Sequence, residues 1–118
     1  MHALEVVADA VRRRILEVLA HGERPAGELA AVIGEEFGIS QPAVSQHLRV
    51  LRDEGFATVR ADGPRRIYAL DSSGLDAADA ALARLRAPFR QRLDALHTEI
   101  ARGRRAAPHP SSDAVEAS

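Results

Sequence analysis

Residues 40–55 read SQPAVSQHLRVLRDEG, and no other stretch of the chain is as informative. Ser40 is a good helix N-cap, Pro42 is tolerated in a first turn where backbone donors lack an intrahelical partner, and Gly55 is a natural terminator. On a helical wheel Val44, Leu48 and Leu51 fall together. Pro42, Gln46, Arg49 and Asp53 lie roughly opposite, flanked by Ser45 and Arg52. One face is thus a Val/Leu/Leu core stripe, and the other offers hydroxyl, amide and guanidinium groups with little bulk near the helix start. A solvated polar face would account for that pattern equally well, so the neighbouring segments have to decide.

Upstream, ALEVVA (residues 3–8) makes a short apolar helix with Leu4 and Val7 on one side. Asp9 caps a second helix in which Val11, Ile15, Val18 and Leu19 recur at helical spacing while Arg12, Arg13 and Arg14 spread around it. It should end near His21-Gly22. Pro25 suits the first turn of a third helix, with Leu29, Val32, Ile33 and Phe37 three or four apart and Gly38 as its stop. Downstream, ATVRA and RRIYALD are short β-branched and aromatic runs separated by Asp62-Gly63-Pro64, the signature of a hairpin. From Ser73 a helical pattern takes over, with Leu75, Ala78, Leu82, Leu85, Phe89, Leu93, Leu96 and Ile100 in one apolar stripe. Pro88 should bend or interrupt it. Beyond Gly103 two prolines and the loss of periodicity predict a disordered tail over 104–118, leaving 1–103 as the folded domain.

A short helix, a tight connection, a second helix and an arginine-bearing hairpin make a helix-turn-helix followed by a wing. The expected fold is α+β, mainly α: a winged helix-turn-helix with a two-stranded β-hairpin and a long C-terminal helix. That context favours duplex DNA as the partner of the polar face. Glutamine bonds bidentately to adenine, arginine to guanine, and serine or a helix N-terminus to phosphate. The candidate contacts are Ser40, Gln41, Pro42, Ser45, Gln46, His47, Arg49 and Arg52 on the helix, with Arg60, Arg65 and Arg66 of the hairpin in or beside the minor groove. His47 borders the core stripe, where it either packs as a structural histidine or bonds a phosphate.

The run SQPAVSQHLRVLRDEGFATVRADGPRRIYAL resembles the recognition helix and wing of the ArsR-like (ArsR/SmtB) bacterial repressors, and VADAVRRRILEVLA resembles their second helix. The most specific part is the Ser-x-His-Leu-x-x-Leu core at Ser45, His47, Leu48 and Leu51. The resemblance implies a homodimer built from the first and last helices, with Leu4, Val7, Leu85, Phe89, Leu93, Leu96 and Ile100 at the contact. It also implies a pseudo-palindromic operator, blocked transcription and control of the protein's own operon. Two departures stand out. Ala10 and Val11 replace a frequent Pro and Thr, and about four residues are inserted around Gly34-Glu35-Glu36, roughly one turn, which keeps Phe37 on the face of Leu29 and Ile33.

Several classes of function are disfavoured. The sequence has 118 residues, 46% hydrophobic and 28% charged, which is one ordinary globular domain, small enough that pairing with a second copy would enlarge its core. Sixteen arginines against seventeen acids give a net charge of -1, so DNA binding would depend on where the charge sits. There is no cysteine, which removes the thiolates on which metal sensing in such repressors rests, and Asp94, His97 and Glu99 are badly spaced for a site. No metal or other cofactor is therefore expected. Gly-rich phosphate loops are absent, and Ser45 and His47 point apart, so an enzyme is not expected. No run approaches the roughly 18 apolar residues of a membrane span, and a cytoplasmic, nucleoid-associated protein is the expectation. Two alternatives stay open: a protein-docking scaffold that reads no sequence, and a repressor whose C-terminal stripe forms a pocket for a small-molecule or lipid effector.

Overall fold

Short helices need partners for their ends, and the N-terminus supplies them through side chains. The computed structural model describes residues 1–106. It runs α1 (Ala3–Ala8), α2 (Ala10–Ala20), β1 (Arg24–Pro25), α3 (Ala26–Phe37), α4 (Gln41–Asp53), β2 (Ala57–Asp62), β3 (Arg65–Leu70) and α5 (Ser72–Ala106). A six-residue helix leaves most of its backbone groups without intrahelical partners. At the start of α1, His2 Nδ1 accepts the Leu4 N–H at 3.0 Å and Glu5 accepts the His2 N–H at 2.8 Å. At its end, Arg12 donates to the carbonyls of Val6 (2.8 Å) and Glu5 (3.0 Å), and Arg13 to those of Val7 (2.8 Å) and Ala8 (2.9 Å). Two arginines that look in the sequence like solvated charges are C-terminal caps.

Asp9 caps α2 as its sequence position predicts, Oδ1 accepting from Val11 N at 2.8 Å and Arg12 N at 3.0 Å. Partial burial works against ionisation of this carboxyl. The backbone hydrogen bonds, with the nearby His47 and Arg12, outweigh burial and hold it below the usual carboxylate range. Gly38 ends α3 in the left-handed region (φ 65°), and Ser40 begins α4 two residues later, its Oγ accepting from Ala43 N at 3.3 Å. That short joint sets α3 and α4 as the two helices of the helix-turn-helix. At the end of α3, Phe37 does stay against the core, with Leu29 and Ile33. Glu36 meets Arg14 of α2, whose Nε lies 3.0 Å from Oε2.

Val6, Ile15, Leu29, Ile33, Val44, Leu48, Leu51 and Phe56 are fully buried and form one core with Leu16, Leu19 and Tyr68. The hairpin forms with Gly63 and Pro64 as its two-residue loop, Asp62 facing Arg65 across it. Gly63 has φ 60°, the left-handed value that such a tight loop demands of its first residue. The expected two-stranded wing gains a third strand: Arg24 and Pro25 pair antiparallel with Tyr68 and Ile67, giving the order β1-β3-β2. Pro25 is therefore extended and precedes α3 instead of lying in its first turn. A φ near −65° serves both states, and an edge strand tolerates the missing N–H. Val32 is 46% exposed, because α3 buries the line through Leu29 and Ile33 and Val32 lies off it.

Residues Met1–Leu82 form one compact unit, and the described residues from Ala83 belong to a second. In the first turns of α5 the buried positions are Gly74, Ala78 and Ala81, while Leu75 (38%) and Leu82 (48%) remain exposed. At Gly74 a side chain has no room because the helix approaches the Phe56 ring. Gly74 N donates to Gly55 O at 2.7 Å, and a Cβ on Gly74 would overlap the ring. Gly74→Ala should therefore destabilise the fold by about 1–3 kcal/mol, as overpacking does, with a thermal midpoint several degrees lower. An unchanged midpoint would show that Phe56 moves aside freely. Pro88 lies inside α5 without ending it. The helix continues to Ala106, and the rest of the expected tail, 107–118, lies outside the described residues.

Candidate nucleic-acid interface

The buried stripe Val44, Leu48 and Leu51 fixes the rotation of α4, so the opposite side faces outward. Gln41, Pro42, Ser45, Gln46, Arg49 and Arg52 are all exposed. Gln46 and Arg49 touch: Arg49 Nη1 donates to Gln46 Oε1 at 3.3 Å, so two of the four candidate base contacts, Gln41, Ser45, Gln46 and Arg49, present one joined set of donors and acceptors. Ser40 is exposed, but its Oγ already serves as the helix cap. An outward face with the amides of Gln41 and Gln46 and the guanidiniums of Arg49 and Arg52 can reach base edges and phosphates in a major groove, which admits a helix of this width.

His47 is the half-buried member, its side chain 21% exposed. Its Nδ1 lies 3.4 Å from Arg12 Nη1 and 4.0 Å from Asp9 Oδ1. Since Arg12 of α2 also caps α1, its guanidinium touches two other helices, α1 and α4, a link that no local sequence signal announces. Nε2 of His47 makes no protein hydrogen bond among the described residues.

Arg60, Arg65 and Arg66 are exposed on the hairpin. Arg60 Nη2 donates to Glu23 Oε1 at 2.6 Å and Arg65 Nη2 to Asp62 Oδ2 at 3.0 Å. On α4, Arg52 places Nε and Nη2 on Asp53 Oδ1 at 3.1 and 3.0 Å. The sequence reading missed these carboxylates. Arg52–Asp53 and Asp62–Arg65 were legible as near neighbours, but Glu23–Arg60 joins residues 37 apart and exists only in the fold.

Of the expected dimer contacts, Leu4 and Val7 are partly buried against the core of their own unit. In the second unit Leu85 (67%), Phe89 (63%), Leu93 (42%) and Leu96 (56%) are exposed, and Ile100 is intermediate. A hollow of about 320 Å³ in the first unit is lined by Val7, Arg13, Leu16, Glu17, Ala20, Leu70 and Leu75. Among the described residues no three His, Asp or Glu side chains are grouped to hold a metal ion, and no helix is long and apolar enough to cross a membrane.

A buried-faced helix with a bare polar outer side, entered by a tight turn and followed by an arginine-bearing hairpin, defines a winged helix-turn-helix regulator. Residues 9–59 match the family model for bacterial regulatory proteins of the arsR family. The chain is 47% identical over 75 residues to the HTH-type transcriptional regulator Rv2034 of Mycobacterium tuberculosis, a match covering 64% of this chain and 66% of that protein. The chain thus spans just under two thirds of that relative's length. It is similar to the crystal structure of a possible transcriptional regulator for arsenical resistance, with TM-score 0.66 and 40% identity over 80% of this chain and 95% of that one. It is also similar to the solution structure of the homodimeric winged helix-turn-helix DNA-binding domain of Mb0332 from Mycobacterium bovis, with TM-score 0.53 and 29% identity over 73% and 75% of the two chains. The chain belongs to the arsR family of bacterial regulatory proteins.

Proposed function

We propose that the protein is a metal-independent homodimeric repressor that binds a pseudo-palindromic operator in the cytoplasm, at the nucleoid, and controls its own operon. The observation that carries this reading is the outward face of α4, where Gln46 and Arg49 stand exposed and in contact, opposite a stripe with no freedom to rotate. Gln46 and Arg49 read base edges. Gln41, Pro42 and Ser45 lie against the groove, and Ser40, His47 and Arg52 face the backbone with Arg60, Arg65 and Arg66 of the wing. Residues 1–103 act together as the DNA-binding and dimerisation domain, and two copies present two half-sites. The homodimeric state of the similar Mb0332 domain supports the pairing.

Metal independence rests on the absence of any cysteine in the sequence, since the thiolate route to metal sensing is closed. The hollow lined by Val7, Leu16 and Leu75 favours a second version of the same reading, in which a small apolar effector adjusts DNA affinity.

Footprinting on the DNA upstream of the protein's own gene tests the proposal. The expected result is a protected, two-fold-related sequence, with the same protection in the presence of a chelator. Absence of any preferred site would favour a protein-docking scaffold, and loss of protection on chelation would overturn metal independence.

A further inference from the structure

Three of the five arginines on the proposed DNA face are already held by carboxylates of the same face. Arg52 sits on Asp53, Arg60 on Glu23 and Arg65 on Asp62, each pair at 3.0 Å or closer. Among the described residues, Arg49 and Arg66 have no carboxylate within ion-pair distance. The six paired side chains are between 43% and 58% exposed, and surface pairs of this kind add little to stability. The fold does not require them. In residues 1–82, thirteen acids face nine arginines, so the unit carrying the DNA face has no general excess of positive charge.

The consequence falls on DNA. Sequence-independent affinity comes from cations that neutralise phosphates and release counterions. A guanidinium that brings its own carboxylate to the phosphate contributes less, because the carboxylate is repelled and competes for the same N–H donors. Gln46 and Arg49, which face base edges, carry no such handicap.

We propose that Glu23, Asp53 and Asp62 are specificity-determining residues. They hold down affinity for DNA in general, so that discrimination of the operator rests on the base contacts of α4. The inference depends on α4 and the wing being the DNA face.

The test compares the wild-type chain with an E23Q/D53N/D62N variant over a salt series. Two duplexes are used, one of random sequence and one enriched from a random pool by the wild-type protein. On the random duplex the variant should bind about tenfold tighter, with a log–log salt slope steeper by two to three units, since each recovered phosphate contact adds about 0.9. The enriched duplex should gain less, so the ratio between the two falls. Random-duplex affinity within about twofold of wild type, with the same slope, would overturn the proposal. Should the triple variant fold poorly, a cycle of Arg60→Gln in wild-type and Glu23→Gln backgrounds decides the matter. The expected loss is larger where Glu23 has been removed, and equal losses overturn the role of the carboxylates. A wild-type protein that enriches no sequence would instead overturn the underlying reading of the DNA face, which keeps the two failures distinct.

Discussion

A Leu93→Asp, Leu96→Asp double variant should sediment as a monomer and bind its operator at least a hundredfold more weakly than wild type, the scale lost when two linked half-sites become independent. Both leucines are substantially exposed, together with Leu85 and Phe89 on the same stripe, which is the surface that the proposed subunit contact would cover. Two carboxylates placed in such a contact would lose water without gaining a partner, which costs several kcal/mol across the pair. Neither position contributes to the core of Met1–Leu82, so that unit should keep its circular dichroism and melting behaviour. A variant that stays dimeric while folded would show that the subunits meet elsewhere. Leu4 and Val7, which already rest against their own core, should matter less than the α5 stripe.

Gln46→Ala and Arg49→Ala should each cost about 1–3 kcal/mol on the operator and relax preference at one position in each half-site. Their effect on scrambled DNA should be small for Gln46, which carries no charge. Because Arg49 donates to Gln46, the two losses should not add: removing either disturbs the orientation of the other, and the double variant should lose less than the sum. The wing behaves differently. Arg66→Ala should weaken all sequences alike and make the salt slope shallower by about one unit, whereas Arg65→Ala should change it less because Asp62 already offsets that charge. Binding isotherms on operator and scrambled duplexes over a salt series read both effects. An unchanged operator-to-scrambled ratio in the α4 variants would remove this helix from the role of reader.

Much of this architecture is legible before any fold is known. Helix caps at Asp9 and Ser40, the stop at Gly38 and the hairpin around Gly63 are local. Each depends on the conformational preference of one residue and on hydrogen bonds to its immediate neighbours. The face of α4 that looks outward is equally local, because Val44, Leu48 and Leu51 are spaced to be buried together. The rest of the site was hidden for a common reason. Pro25 in an edge strand, Arg12 between α1 and His47, and Arg60 on Glu23 all depend on partners supplied by distant segments.

The sequence by itself determined the order of the helices and the hairpin, the polar outer face of α4 and the apolar stripe of α5, since periodicity and capping act within a few residues. Only the tertiary structure decided how the arginines are employed. Arg12 and Arg13 cap α1 and Arg14 pairs with Glu36 of α3, while of the five arginines on the proposed DNA face Arg52, Arg60 and Arg65 are paired with carboxylates and Arg49 and Arg66 have none among the described residues. A guanidinium on a long flexible stem reaches whichever acceptor the fold brings near, and spacing along the chain does not specify which one that is.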